Sequence, residues 1–157
     1  MFTLRMFDLV IINGNVNFGD MSKSSKCNIG ITDEKISYIG GEKISGKEFI
    51  DATGYEVTPG FIDLHTHSDL SFIVDPDADS KLVQGVTFEL MGNCGMSFCA
   101  PLSKDNKYQL QERLNRYGIK KEMDWNNFDD WLTKIENNTP SINVAAQIGH
   151  GNLRSYV

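Results

Sequence analysis

The sequence predicts an α/β protein in two parts: a small antiparallel β unit over residues 1–57, and parallel strand–helix units over residues 58–157. Three observations carry this expectation. Short β-branched runs separated by turn residues fill the first part. From Val57 on, apolar runs alternate with helical patterns in the order strand–helix–strand–helix–strand, the order of parallel β/α units. A length of 157 residues suffices for one globular domain with its own core, whereas two ordinary domains would be crowded.

Phe7–Ile12 is apolar and β-branched, and Asn13-Gly14 after it predicts a two-residue hairpin turn leading into Val16–Phe18. A polar loop, Gly19–Lys26, precedes a strand over Cys27–Ile31. Asp33-Glu34-Lys35 makes the next turn, and Ile36–Ile39 follows with period-2 alternation. Phe49-Ile50 precedes a further turn at Thr53-Gly54. A β unit of this size has little core and normally packs on something else. In the second part, Phe61–Leu64 reads as a buried strand after the Pro59-Gly60 break. Asp75-Pro76 predicts an N-cap and first-turn proline for a helix through Gln84, with Gly85 as its stop. Val86–Met91 is the second strand. In the long helical stretch beyond it, Trp125, Phe128, Trp131, Leu132 and Ile135 recur at helical spacing behind Asp124 as the cap. That aromatic stripe reads as a helix face buried against a sheet rather than a ligand-stacking surface. Pro140 closes the helix, and Ile142–Ile148 is the third strand.

The net charge of −6 argues against a nucleic-acid or anionic-membrane surface. No apolar run approaches the ~18 residues of a membrane span, and Met1–Phe7 does not read as a secretory signal. Three cysteines are too few and too scattered for a disulfide framework, so a reducing cytoplasm is expected.

The sharpest feature is His65-Thr66-His67, directly after a strand. Residues i and i+2 of an extended chain point to one face, so both imidazoles can reach one cation. In parallel β/α folds the C-terminal end of a strand carries the active site. Cys94 follows the second strand about 30 residues later, the length of one βαβ unit, and should emerge beside the histidines. Gly92 and Gly95 bracket it and let the backbone turn tightly. Two imidazoles and a thiolate suit Zn²⁺, which makes His65, His67 and Cys94 the candidate metal ligands. His150, after the third strand, should reach the same face as a pocket-lining or hydrogen-bonding residue rather than a ligand. Asp63 and Asp69 flank the histidine pair as acceptors for ring N–H groups or as plain loop acids, with Asp69 expected to line the pocket. Cys27 and Cys99 read as packing residues.

Val57–Asp69, with Phe61-Ile62-Asp63-Leu64-His65-Thr66-His67 at its centre, resembles the opening metal motif of the amidohydrolase superfamily, which includes dihydroorotases, hydantoinases and adenine deaminases. Gln84-Gly85-Val86-Thr87, then Gly92-Asn93-Cys94-Gly95 and Ala100-Pro101, narrow the likeness to the N-acyl-D-amino-acid deacylase (D-aminoacylase) branch. Gly149–Arg154, Asp8–Ile11 and Ile50-Asp51-Ala52 resemble that branch too. The resemblance implies a zinc hydrolase on a (β/α)8 TIM-type barrel, preceded by a small β-sandwich domain. It also implies His65, His67 and Cys94 as ligands, and zinc-activated water attacking the amide of a small N-acyl-D-amino acid.

A TIM barrel takes ~250 residues and eight strands, and this chain carries three apparent barrel strands. The family's further histidine ligands and its aspartate general base are therefore expected beyond Val157, as are the strands that complete the sandwich. The chain reads as the N-terminal portion of such an enzyme. Two alternatives stand beside deacylation: a non-catalytic remnant that binds metal or a partner, and a hydrolase of a cyclic amide, as in dihydroorotases and hydantoinases.

Overall fold

The computed structural model describes residues 6–99, 101–116 and 118–157. Ala100 of the cysteine motif and the first five residues lie outside them. The chain divides into two compact units, Met1–Pro59 and Gly60–Val157.

The first unit is a five-stranded sheet of β1 (Met6–Val16), β2 (Ser25–Thr32), β3 (Lys35–Gly40), β4 (Ser45–Asp51) and β5 (Glu56–Val57). It is mixed, not antiparallel as expected. β2 pairs antiparallel with β1 and β3, while β4 and β5 both run parallel to β1. The expected hairpin at Asn13-Gly14 is absent. β1 runs through it with a bulge, the register against β2 shifting between Ile11 and Gly14. Asn13 takes a left-handed φ of 63° to absorb the extra residue. Its neighbours hold the bulge: the Asn13 amide donates to Asn28 Oδ1 (3.1 Å) and its side chain to Asp51 Oδ1 (3.0 Å). Gly14 is required there because a Cβ would lie 2.6 Å from Val57 Cγ2. The turn at Asp33-Glu34 forms as read, both residues at positive φ, the two-residue geometry that matches strand twist. Phe7, Val10, Val16, Ile29 and Ala52 make its small core.

The second unit is a parallel three-stranded sheet in the order β6–β7–β8, formed by Phe61–Asp63, Val86–Met91 and Asn143–Ala146. The expected helix over 75–84 is instead two single turns, α1 (Ser71–Val74) and α2 (Asp79–Leu82). Asp75, preceding a proline, leaves the helical region (φ −137°, ψ 86°), and Ala78 is left-handed, so the helix cannot run through. α2 ends at Leu82 with Val83 as its C-cap, not at Gly85, which at φ +78° closes the turn before the next strand. α3 (Lys104–Arg116) and α4 (Phe128–Asn138) lie between β7 and β8, and α5 (His150–Tyr156) follows β8. α4 is capped by Asn127, whose side chain accepts from the Asp130 amide, and not by Asp124. Trp125 therefore precedes the helix, and its indole N–H donates to the Phe98 carbonyl at 2.7 Å. Thr139, left-handed, ends α4 just before Pro140.

The core joins Phe72, Ile73, Met91, Trp125, Trp131, Ile135 and Ile142. Both tryptophans are buried, as the packing reading of the aromatic stripe expects. Among the described residues no helix is long and apolar enough to cross a membrane.

Candidate metal centre

His65 and His67 stand just beyond β6, where the chain stays bound to β7 through the Thr66 amide and hydroxyl, both donating to Leu90 O. Thr66 is buried and the two histidines are exposed, the alternation of an extended backbone. Their rings lie 5.7 Å apart at 67°. Cys94 comes from the loop after β7 and places Sγ 3.2 Å from His65 Nε2. One donor atom from each of His65, His67 and Cys94 lies within 4.8 Å of the others. Around a tetrahedral zinc, bond lengths of ~2.0–2.3 Å set donors roughly 3.3–3.6 Å apart, so small side-chain rotations close this trio on one ion. Two imidazoles and a thiolate are donors that zinc accepts.

The cysteine is aimed by its backbone. Cys94 itself has φ +58°, between Gly92 at +81° and Gly95 at +75°. Gly92 allows the closest approach: a Cβ there would sit 2.1 Å from Gln147 O. The loop is tied to the segment after β8 by Gln147 N to Met91 O (2.9 Å), Gly151 N to Gly95 O (2.8 Å) and Ser97 N to Asn152 Oδ1 (2.7 Å). Asn93 closes the other side, donating to Thr66 O and Leu90 O.

Asp69 is buried, and its two oxygens accept from the amides of Gly92 (3.4 Å) and Phe98 (3.3 Å), one at each end of the cysteine loop. Burial pushes its pKa up; the two amides and the nearby His67 work against that. Asp63 accepts the His65 amide at 3.2 Å, which, with Lys81, holds its carboxyl below the ordinary carboxylate range. Both aspartates thus bond backbone rather than the ring N–H groups considered from sequence. His150 is exposed at the first residue of α5 and is not among the three clustered residues.

Sequence patterning did not reveal the ion pair between Lys81 and buried Glu89. Glu89, fully buried in β7, lies 2.5 Å from Lys81 Nζ, and Lys81 also reaches Asp63 at 3.2 Å. Contact with Glu89 is the main cause that raises the Lys81 pKa; burial opposes it and Asp63 adds to it. A glutamate in the middle of an apolar strand was the available signal, since a buried charge needs a partner. A groove of about 910 Å³ runs along α3 and α5, lined by residues such as Asn106, Arg113 and Asn152, and includes none of the trio.

An α/β fold with clustered imidazole and thiol side chains at the C-terminal ends of parallel strands defines a class of protein whose strand ends could hold a cation. The amidohydrolase family profile matches residues 48–157, and the chain belongs to that family. It is 32% identical over 152 residues to a D-aminoacylase of Alcaligenes xylosoxydans xylosoxydans, covering 96% of this chain and 31% of that protein. An N-acyl-D-glutamate deacylase of the same organism is 35% identical over 148 residues, covering 94% of this chain and 29% of that protein. Among solved structures, the N-acyl-D-glutamate deacylase of Bordetella bronchiseptica, complexed with zinc and a phosphonate mimic of the tetrahedral intermediate, superposes with a TM-score of 0.81 at 30% identity. That match covers 97% of this chain and 31% of the other. The chain thus spans about a third of the length of these relatives.

Proposed function

We propose that this chain forms the zinc-binding N-terminal portion of a cytoplasmic N-acyl-D-amino-acid deacylase, with His65, His67 and Cys94 as ligands. Residues 58–157 would be the first three strand–helix units of a (β/α)8 barrel, and residues 1–57 part of a β-sandwich. The observation that carries the reading is the convergence of the three donors from two neighbouring strand ends to within 4.8 Å. The zinc in the Bordetella relative and the acyl-D-amino-acid substrates named for both curated relatives support it.

A zinc ion held by these residues would supply a Lewis acid for the amide carbonyl and lower the pKa of water to ~7. The chain's own residues supply placement. Thr66, tied to Leu90, turns both imidazoles to one side, and the left-handed backbone at Cys94 brings the sulfur to them. Asp69 holds the cysteine loop at both ends. The general base is expected on barrel strands outside this sequence.

Zinc titration of the chain tests the ligand set. Cys94→Ala is expected to weaken retention by at least about 10-fold, the scale of losing a site contact, and Cys27→Ala to leave it unchanged. Equal zinc content in the two variants by elemental analysis would sink the assignment. For the substrate, an enzyme carrying the remaining strands should deacylate N-acetyl-D-methionine in preference to the L isomer and to cyclic amides; the reverse order overturns that part.

A further inference from the structure

Asp63 on β6 and Glu89 on β7 are register partners, so two carboxylates stand side by side on neighbouring parallel strands. Glu89 has no exposed surface, and its Oε2 meets no donor among the described residues. A buried carboxylate beside a second one needs either a proton or a cation between them. Lys81, from the single turn α2, fills that place. Its Nζ is 2.5 Å from Glu89 Oε1 and 3.2 Å from Asp63 Oδ2. The other Asp63 oxygen, Oδ1, accepts the His65 amide at 3.2 Å, and the His65 ring is the one whose Nε2 meets Cys94 Sγ.

We propose that Lys81 is a positioning residue for the metal centre: anchored on buried Glu89, it orients the Asp63 carboxylate that holds the His65 backbone. The inference rests on the zinc reading of His65, His67 and Cys94. Without the ammonium, Asp63 loses the ion pair that holds its Oδ2 in place. Its side chain, 35% exposed, has open solvent to turn into. Releasing Asp63 frees the His65 amide, and the imidazole loses the backbone direction that aims it at Cys94. Contacts of this kind behind metal ligands typically change affinity by ~10–100-fold. A purely structural role would end at Glu89, because neutralising that one buried charge needs no contact with Asp63.

The test is a cycle on the full 157-residue chain, read by zinc affinity in competition with a chromophoric chelator and by the thiolate-to-cobalt absorption of the Co²⁺ form. Lys81→Met alone leaves Glu89 buried and unpaired and is expected to destabilise the fold, so Lys81→Met/Glu89→Gln removes both charges together. This pair is expected to keep its far-UV circular dichroism, bind zinc about 10-fold more weakly and show an altered cobalt spectrum. Asp63→Ala, which keeps the Lys81–Glu89 pair, is expected to match that loss. Combining all three substitutions should add nothing further, as for residues acting in one chain of contacts. Wild-type zinc affinity in the Lys81→Met/Glu89→Gln variant, or additive losses in the triple variant, overturns the proposal and leaves the zinc site standing. If the wild-type chain binds no zinc, or Cys94→Ala binds it equally well, the zinc reading and this inference fall together.

Discussion

Cys94 and Cys99 lie five positions apart, yet their surroundings give them opposite chemistry. Cys94 is exposed, in a left-handed backbone that costs a non-glycine residue roughly 1–2 kcal/mol. The ties to Asp69, Asn152 and Gln147 hold it there despite that cost. Cys99 is fully buried with its thiol donating to Gln147 O, and burial pushes its pKa up to about 11. Alkylation of the native chain, mapped by mass spectrometry, is therefore expected to modify Cys94 first and to leave Cys99 intact until the chain unfolds, because the thiolate is the nucleophile. Zinc should protect Cys94. Modification of native Cys99 at a rate equal to that of Cys94 would contradict this account. The pairing of His65 with His67 is legible from period-2 spacing alone. The role of Asp69 is not, since nothing in the sequence says that its oxygens meet the amides of Gly92 and Phe98.

Among the elements, α4 shows what local pattern decides and where it stops. Phe128, Trp131, Leu132 and Ile135 mark one helical face, and Trp131 and Ile135 are buried. The expected start at Asp124 is not the observed one, because cap preference by residue type does not separate Asp from Asn. Asn127 caps the helix, and Asp124 instead pairs with Lys134 on α4. The Lys134 ammonium holds the Asp124 carboxyl below the ordinary carboxylate range. Because the folded pKa is the lower one, the unfolded chain takes up the proton first as pH falls. The pair's contribution is thus present above the unfolded pKa and lost as pH drops through the folded one. At this exposed position it amounts to a few tenths of a kcal/mol after solvent screening. Urea midpoints measured between about pH 5 and pH 2 should fall more steeply for wild type than for Asp124→Asn; parallel curves would remove the pair from the stability account. The missed bulge at Asn13 has a similar cause. Asn-Gly suits a hairpin or a bulge equally, and the choice was made by Asn28, Asp51 and Val57, which are distant in sequence.

At the scale of the molecule, the parallel sheet of the second unit has β6 and β8 as its edges, and Ile62 and Leu64, on one face, are each 63% exposed. Parallel sheets are normally covered on both faces, and apolar area left open favours association. The purified chain is accordingly expected to show an apparent mass that rises with concentration in light scattering. Replacing Ile62 and Leu64 with threonine, a polar β-branched residue that suits strands, should flatten that rise. An unchanged concentration dependence would shift the responsibility to other surfaces. The α/β alternation and the three strand positions of this unit were readable because hydrophobic period and Gly/Pro breaks are local signals. The mixed pairing of the first unit was not. Whether β4 joins β1 parallel or antiparallel depends on contacts across the sheet, which leave no mark in the order of residues.

The sequence by itself determined the family, the parallel-strand frame and which three side chains to propose as metal donors, because spacing and residue type express local backbone geometry and metal preference directly. Tertiary structure alone decided how those donors are held: Asp69 across the cysteine loop, Gly92 against Gln147, and Lys81 between Asp63 and Glu89. These are close approaches between strand ends and a helical turn. Burial of Asp69 and Glu89 makes their pairing obligatory, and only the folded chain brings the partners within reach.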